Sequence, residues 1–317
     1  MFRSRLMLCL ATLLLVCLQG FARADTCPAV ELPTADEWKT LAGQARDRGL
    51  LWKISKGGHS SWLYGTMHLG KPEWVFPGPK LKSAFAASDT LVMEIDPSDE
   101  AQMKGMQDPA TWGLAFSALP EPLQAQLLAE LRRACLPEQL KDMMSAAMLS
   151  VTLTMLEARR IGLDATLGSE MMWLQQARQT GKPVMALESA REQFDLFERL
   201  PREDTLQMIQ QSLALLDSKA VLTQTGRLAQ SWASSNAADL AAYEQWCDCV
   251  KTAADREFMD RMGPQRNRKM APKIDAAHSS GKRLFVAVGA LHMVGKDGLP
   301  ELLQKRGYTV ERISFAP

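Results

Sequence analysis

The sequence predicts a single α/β domain whose mixed central sheet is assembled from N- and C-terminal strands, with a large helical region in the middle. Three observations carry this reading. Short apolar runs of strand length occur at residues 51–55, 61–66 and 90–96, and again at 283–288 and 309–313, so strand-formers lie at both ends of the chain. Between them, apolar residues recur at spacings of three and four, the period of a helix with one buried face. No Pro- or Ser-rich linker divides the 317 residues, so distant strands must meet in one sheet.

The first 24 residues stand apart from that domain. Arg3 and Arg5 precede an apolar run over residues 6–18, and Ala22-Arg23-Ala24 supplies a small-x-small cleavage pattern. The run falls short of the ~20 residues that span a bilayer. The expectation is a signal peptide cleaved after Ala24, export to the periplasm or beyond, and no stable membrane insertion afterwards. Neither Cys17 nor Cys27 follows the small-residue pattern of a lipoprotein.

Within residues 25–317, Thr34-Ala35-Asp36-Glu37 is a capping box that opens a short helix, stopped by Gly49. The runs at 51–55 and 61–66 flank a Gly57-Gly58 turn and read as a hairpin. The second strand leads into Gly65-Thr66-Met67-His68. A loop over 71–79 and a short helix near 81–87 precede a buried-type strand that ends in Glu94 and Asp96. Helix dominates to Gly181, and residues 182–188 form a short strand closed by Glu188. Residues 189–278 are helical, with breaks near Pro201, Asn236 and Pro264. A second apolar strand runs into Gly289-Ala290-Leu291-His292, and a helix over 299–306 and a last strand follow. The helical cap is thus expected over about 100–180 and 189–280.

Charge excludes one class of function. Lys and Arg number 37 against 36 Asp and Glu, and three of the arginines leave with the signal, so no electrostatic footprint for nucleic acid remains. Export makes the four remaining cysteines, Cys27, Cys135, Cys247 and Cys249, disulfide candidates. Only Asp248 separates Cys247 from Cys249, so each is expected to pair with Cys27 or Cys135. Met143, Met144, Met148, Met155, Met171 and Met172 fall at helical spacings and read as core. His59, in a turn, and His278, at a helix end, read as solvated. No Gly-x-Ser-x-Gly elbow and no phosphate-binding loop is present.

The chemistry concentrates on two of the four histidines. His68 and His292 each follow an apolar strand and a glycine by the same Gly-x-x-His spacing. That places both at a sheet edge where α/β folds collect ligands. Glu94 and Glu188 also close apolar strands, where a carboxylate near the core must be paired or metal-bound. Two imidazoles with one or two carboxylates suit Mn²⁺, Zn²⁺ or Fe²⁺. Arg266, in the basic run Arg266-Asn267-Arg268-Lys269, offers a planar fork of donors for a substrate carboxylate or an oxyanion.

Taken in order, residues 51–55 with 63–68, 92–96, 182–188, 266–268 and 286–292 resemble the TraB/GumN family, which is related to the Tiki metalloproteases. The resemblance implies an α/β fold in which two Gly-x-x-His motifs, a strand-end glutamate and an arginine converge on one divalent-metal site. Carried over by residue, it points to His68, Glu94, Arg266 and His292, with Asn267, Asp164 and Glu188 as weaker matches. It also implies Mn²⁺ or Co²⁺ as cofactor, because Tiki members are peptidases dependent on those ions, whereas GumN-like members largely lack an assigned reaction. The resulting expectation is an exported metal-dependent hydrolase of a peptide or amide bond. His68, His292 and Glu94 would be its ligands, and Glu94, Arg266, Glu188 and Asn267 its catalytic groups. The alternative is a non-catalytic periplasmic binding protein, or an accessory in envelope polysaccharide export, that uses the same pocket for a small molecule or peptide.

Overall fold

The structure is a computed structural model and describes residues 27–106 and 108–315, so the expected signal peptide lies outside the described residues. Helix α1 (Ala35–Gly43) carries the capping box, with Thr34 and Glu37 exchanging backbone contacts as the sequence requires. The hairpin of β1 (Leu50–Lys56) and β2 (His59–Thr66) follows, then α2 (Pro79–Ala86), β3 (Thr90–Met93) and α3 (Glu100–Met106). Gly57 and Gly58 both take positive φ, as a two-residue hairpin turn demands. Helices α4 (Glu121–Arg133), α5 (Ala146–Glu157) and α6 (Ser169–Thr180) lead to β4 (Val184–Ala186). Next come α7 (Ala190–Glu198), α8 (Arg202–Asp217), α9 (Ala220–Ala233), α10 (Ala237–Ala241), α11 (Tyr243–Trp246), α12 (Ala253–Met262) and α13 (Pro264–Ser279). Strand β5 (Leu284–Gly289), α14 (Leu299–Gln304) and β6 (Thr309–Ile313) complete the chain.

The six strands form one sheet in the order β4-β3-β5-β2-β1-β6. Strands β4, β3, β5 and β2 run parallel, while β1 pairs antiparallel with both β2 and β6. The sheet is therefore mixed and built from both ends of the chain, as the sequence predicts. Strand β3 is buried along its whole length and β5 along all but Gly289, which explains why both read as continuous apolar runs. Phe85 of α2 and Trp173 of α6 cover Phe285 with ring centroids 5.4 and 4.6 Å away.

A second apolar cluster lies in the helical middle, where Leu127 and Leu131 of α4, Leu149 of α5 and Ile209 of α8 pack together. Of the methionines read as core, Met172 is buried, whereas Met143, Met155 and Met171 are exposed. Among the described residues no helix is long and apolar enough to cross a membrane.

Two expectations are corrected. Cys27 pairs with Cys135, and Cys247 pairs with Cys249 itself. Asp248 adopts φ 52°, which turns the chain until the two Cα atoms stand 5.1 Å apart, within disulfide reach. His278 is buried rather than solvated: its ring stacks on His59 at 3.9 Å, Nδ1 meets the Ser61 hydroxyl at 2.8 Å and Nε2 donates to the Lys56 carbonyl.

Candidate active site

The four parallel strands end on the same edge, and each end delivers one piece of the site. Beyond β3 and β4 the ladder continues for one more step, with the Glu188 N–H donating to the Glu94 carbonyl at 2.7 Å, so the two acids stand side by side. Past β5 the chain turns through a short 3₁₀ segment, Ala290–Met293, that carries His292, and past β2 it reaches His68. The first turn of α13 brings Arg266 and Asn267 against these ends.

The motif glycines are required by close approach rather than by positive φ. A Cβ on Gly65 would stand 3.0 Å from Ala290 Cα, so the two Gly-x-x-His segments pack on each other through that position. A Cβ on Gly289 would lie 3.3 Å from Glu94 Oε1, the oxygen that accepts the Gly289 N–H at 2.8 Å.

Arg266 is the centre of the cluster. Its Nε donates to Glu188, its Nη2 to Glu94 and Glu188, and its Nη1 to the Met262 carbonyl and to His292 Nε2, each of the last two at 3.1 Å. All five guanidinium N–H groups are thereby used. The expectation that this fork holds a substrate carboxylate is therefore corrected: Arg266 has no donor left, and it positions the two acids instead. Gln193 of α7, which the sequence reading missed, donates to Glu94 at 2.7 Å and to Glu188 at 3.2 Å. It sits inside an ordinary capping-box helix, and nothing in its spacing marks it.

Asn267 orients His292. Its amide nitrogen donates to the carbonyls of Asp297 and His292, so its Oδ1 must be the acceptor that meets His292 Nδ1 at 2.6 Å. His292 therefore carries its proton on Nδ1 and presents a bare Nε2, 3.7 Å from Glu94 Oε1. Burial lowers the His292 pKa and keeps the ring neutral. His68 has another unforeseen partner, Glu170 of α6, whose Oε1 lies 3.0 Å from His68 Nδ1. Glu170 pushes the His68 imidazolium up to about 9, and the ring itself is exposed. Burial by itself would raise Glu94, but the charges of Arg266 and His68 and the Gly289 N–H hold it well below the usual carboxylate range. Asp164 lies outside the cluster: it caps the Thr166 N–H at 2.7 Å and pairs with Arg159.

A divalent cation would find a partly matching donor set here. The His292 imidazole has Nδ1 tied to an oxygen acceptor, the arrangement that frees Nε2 for a metal, and His68 Nδ1 stands 3.0 Å from Glu170 Oε1. Glu94 Oε1 stands beside the His292 nitrogen, and two carboxylates against one guanidinium leave a negative charge uncompensated. Among the described residues, however, no three His, Cys, Asp or Glu side chains already converge as a metal cluster, and Arg266 Nη1 takes the His292 lone pair. The residue types and their orientation fit; a cation at His292 competes with one Arg266 hydrogen bond.

These groups form one end of a cavity of about 530 Å³, an ordinary size for a small-molecule or peptide site. Leu228, Trp232, Tyr243, Phe258 and Met259 supply its walls. The buried hydroxyl of Thr66, also on the lining, has no hydrogen-bond partner.

The chain is 27% identical over 274 residues to the uncharacterized protein YbaP of Escherichia coli (strain K12), covering 80% of this chain and 97% of that one. The same identity and coverage hold for the uncharacterized protein YbaP of Shigella flexneri. No solved structure matches the chain. The TraB/PrgY/gumN family profile matches residues 50–312, from the first strand of the hairpin to the last strand of the sheet, and the chain belongs to that family.

Proposed function

We propose that the protein is an exported hydrolase of peptide or amide bonds that depends on a divalent cation, Mn²⁺ or Co²⁺ by the family resemblance. One observation carries the reading: both Gly-x-x-His imidazoles line the cavity end that holds Glu94, with His292 Nδ1 tied to Asn267 and its Nε2 3.7 Å from Glu94. His68, His292 and Glu94 would hold the cation, which when bound brings the pKa of its water toward neutrality. Glu94, ionised far below neutral pH, is suited to be a ligand and is a weak base. Arg266 and Gln193 keep Glu94 and Glu188 in place, and Asn267 fixes the His292 tautomer.

The test is turnover of a mixed peptide library by the mature protein with Mn²⁺ or Co²⁺. Cleavage that disappears with chelator and in His292→Ala is the expected result. Cleavage untouched by both would overturn the reading. The apolar wall also favours a second reading, a protein that retains a ligand in this cavity without turning it over, and stoichiometric retention with no product would support it.

A further inference from the structure

The two disulfides close very different lengths of chain. Cys27–Cys135 spans 108 positions and Cys247–Cys249 only two, so the second constrains the unfolded chain far less and adds little stability by that route. Its position is more telling. It closes the link between α11 and α12, and both helices line the cavity, α11 through Tyr243 and Glu244 and α12 through Phe258, Met259 and Met262. Every residue of these two helices is at least partly exposed, so this wall has little core of its own to fix it. Cys247, by contrast, is fully buried. The bond also holds Asp248 at φ 52°, a left-handed conformation that is costly for a residue with a Cβ.

The two cysteines differ in access and in surroundings. Cys249 is half-buried and so more open to attack, while the Cys249 N–H donates to Cys247 Sγ at 3.2 Å, a contact that favours Cys247 as the leaving thiolate. We propose that Cys247–Cys249 is an exchangeable disulfide that sets the stiffness of the cavity wall, opened by an external thiol and re-formed by the corresponding disulfide. The external thiolate attacks Cys249 Sγ, the bond to Cys247 breaks, and Cys247 leaves with the electron pair and takes a proton. A second thiol attacks the external sulfur of the mixed disulfide and releases Cys249 as a thiol. Two external thiols are thereby oxidised to one disulfide, and their two electrons and two protons reduce the protein bond to two thiols. Once freed, Asp248 relaxes to negative φ, and the Cα atoms of Cys247 and Cys249, 5.1 Å apart in the bridged chain, separate to as much as about 7 Å. Helices α11 and α12 then move independently. The inference holds whether the cavity cleaves its ligand or only retains it.

The test equilibrates the full mature protein, without denaturant, in buffers of fixed glutathione to glutathione disulfide ratio. Alkylation and peptide mass read the state of each cysteine, and amide hydrogen exchange is followed on the same samples. The expected result is that Cys247–Cys249 is half-reduced within the range of these buffers, and that residues 243–262 then exchange at least about tenfold faster while β3 and β5 do not change. Cys247→Ser combined with Cys249→Ser should show the fast exchange in every buffer, with the protected strands reporting that it folds. Asp248→Gly should raise the glutathione excess needed for half-reduction at least about threefold, because glycine accepts positive φ, and Asp248→Val should lower it. Both variants lose the same exposed ion pair between Asp248 and Lys251, so opposite shifts isolate the backbone. A bond that stays closed until denaturant is added, reduction that leaves exchange over 243–262 unaltered, or a midpoint that moves the same way or not at all in both Asp248 variants would overturn the proposal.

Discussion

Arg266 shows how a residue's role depends on what surrounds it. A guanidinium beside one carboxylate could serve a substrate; beside two, with a carbonyl and an imidazole taking Nη1, it is a structural clamp. Replacing Arg266 with Leu leaves Glu94 and Glu188 buried against each other. It should cost about 3–5 kcal/mol of stability in urea unfolding, and a loss below about 1 kcal/mol would show that water already shares the clamp's work. The Thr66 hydroxyl makes the opposite case. It forms no hydrogen bond in the folded chain, so Thr66→Val should leave the urea midpoint unchanged or raise it. A loss above about 1 kcal/mol would mean that the hydroxyl is bonded in solution.

At the scale of elements, the pairing of helix α13 with the hairpin sets a pH dependence. Burial, with His59 and the Lys56 ammonium, lowers the His278 pKa, while the Lys56 carbonyl and Asp275 oppose the shift. Ser61 and Tyr308 complete its surroundings. Because the folded chain holds the proton less well than the unfolded one, the stability contributed by neutral His278 is complete above the unfolded value of 6.5 and is lost as pH falls below it. His278→Gln should therefore flatten the fall of the urea midpoint between pH 7 and about 5; an unchanged slope would place the titration elsewhere. The strands that frame this helix were legible in the sequence, since apolar runs punctuated by Gly57-Gly58 and Gly65 have no other economical reading. His278 was not, because its burial depends on Ser61 and His59, more than two hundred positions away.

For the whole molecule, what the sequence revealed is the gathering of motifs, and what it concealed is their partners. Two Gly-x-x-His motifs and two strand-end acids predict one sheet edge, and the parallel order β4-β3-β5-β2 brings them to it. Glu170 and Gln193 sit on helices whose spacing says nothing about the site, so only the folded chain discloses them. The cysteine pairing was hidden for a local reason, the left-handed conformation of Asp248. That leaves Cys27–Cys135 to tie the N-terminal segment to the turn after α4 across a sequence separation of 108. Removing that bridge by paired Cys27→Ser and Cys135→Ser substitutions should lower stability by about 2–5 kcal/mol, with no change in metal content. Loss of metal together with stability would couple this distant cap to the site.

Metal content is also the most direct measure of the central claim, that the edge of the parallel strands is a cation-dependent centre. Elemental analysis of the mature protein, purified without chelator and reconstituted with Mn²⁺ or Co²⁺, should find about one equivalent. It should find none in His68→Ala or His292→Ala, and Asn267→Ala should weaken binding about 10–100-fold. Metal absent from the wild type after reconstitution, or retained equally by both histidine variants, would contradict the account.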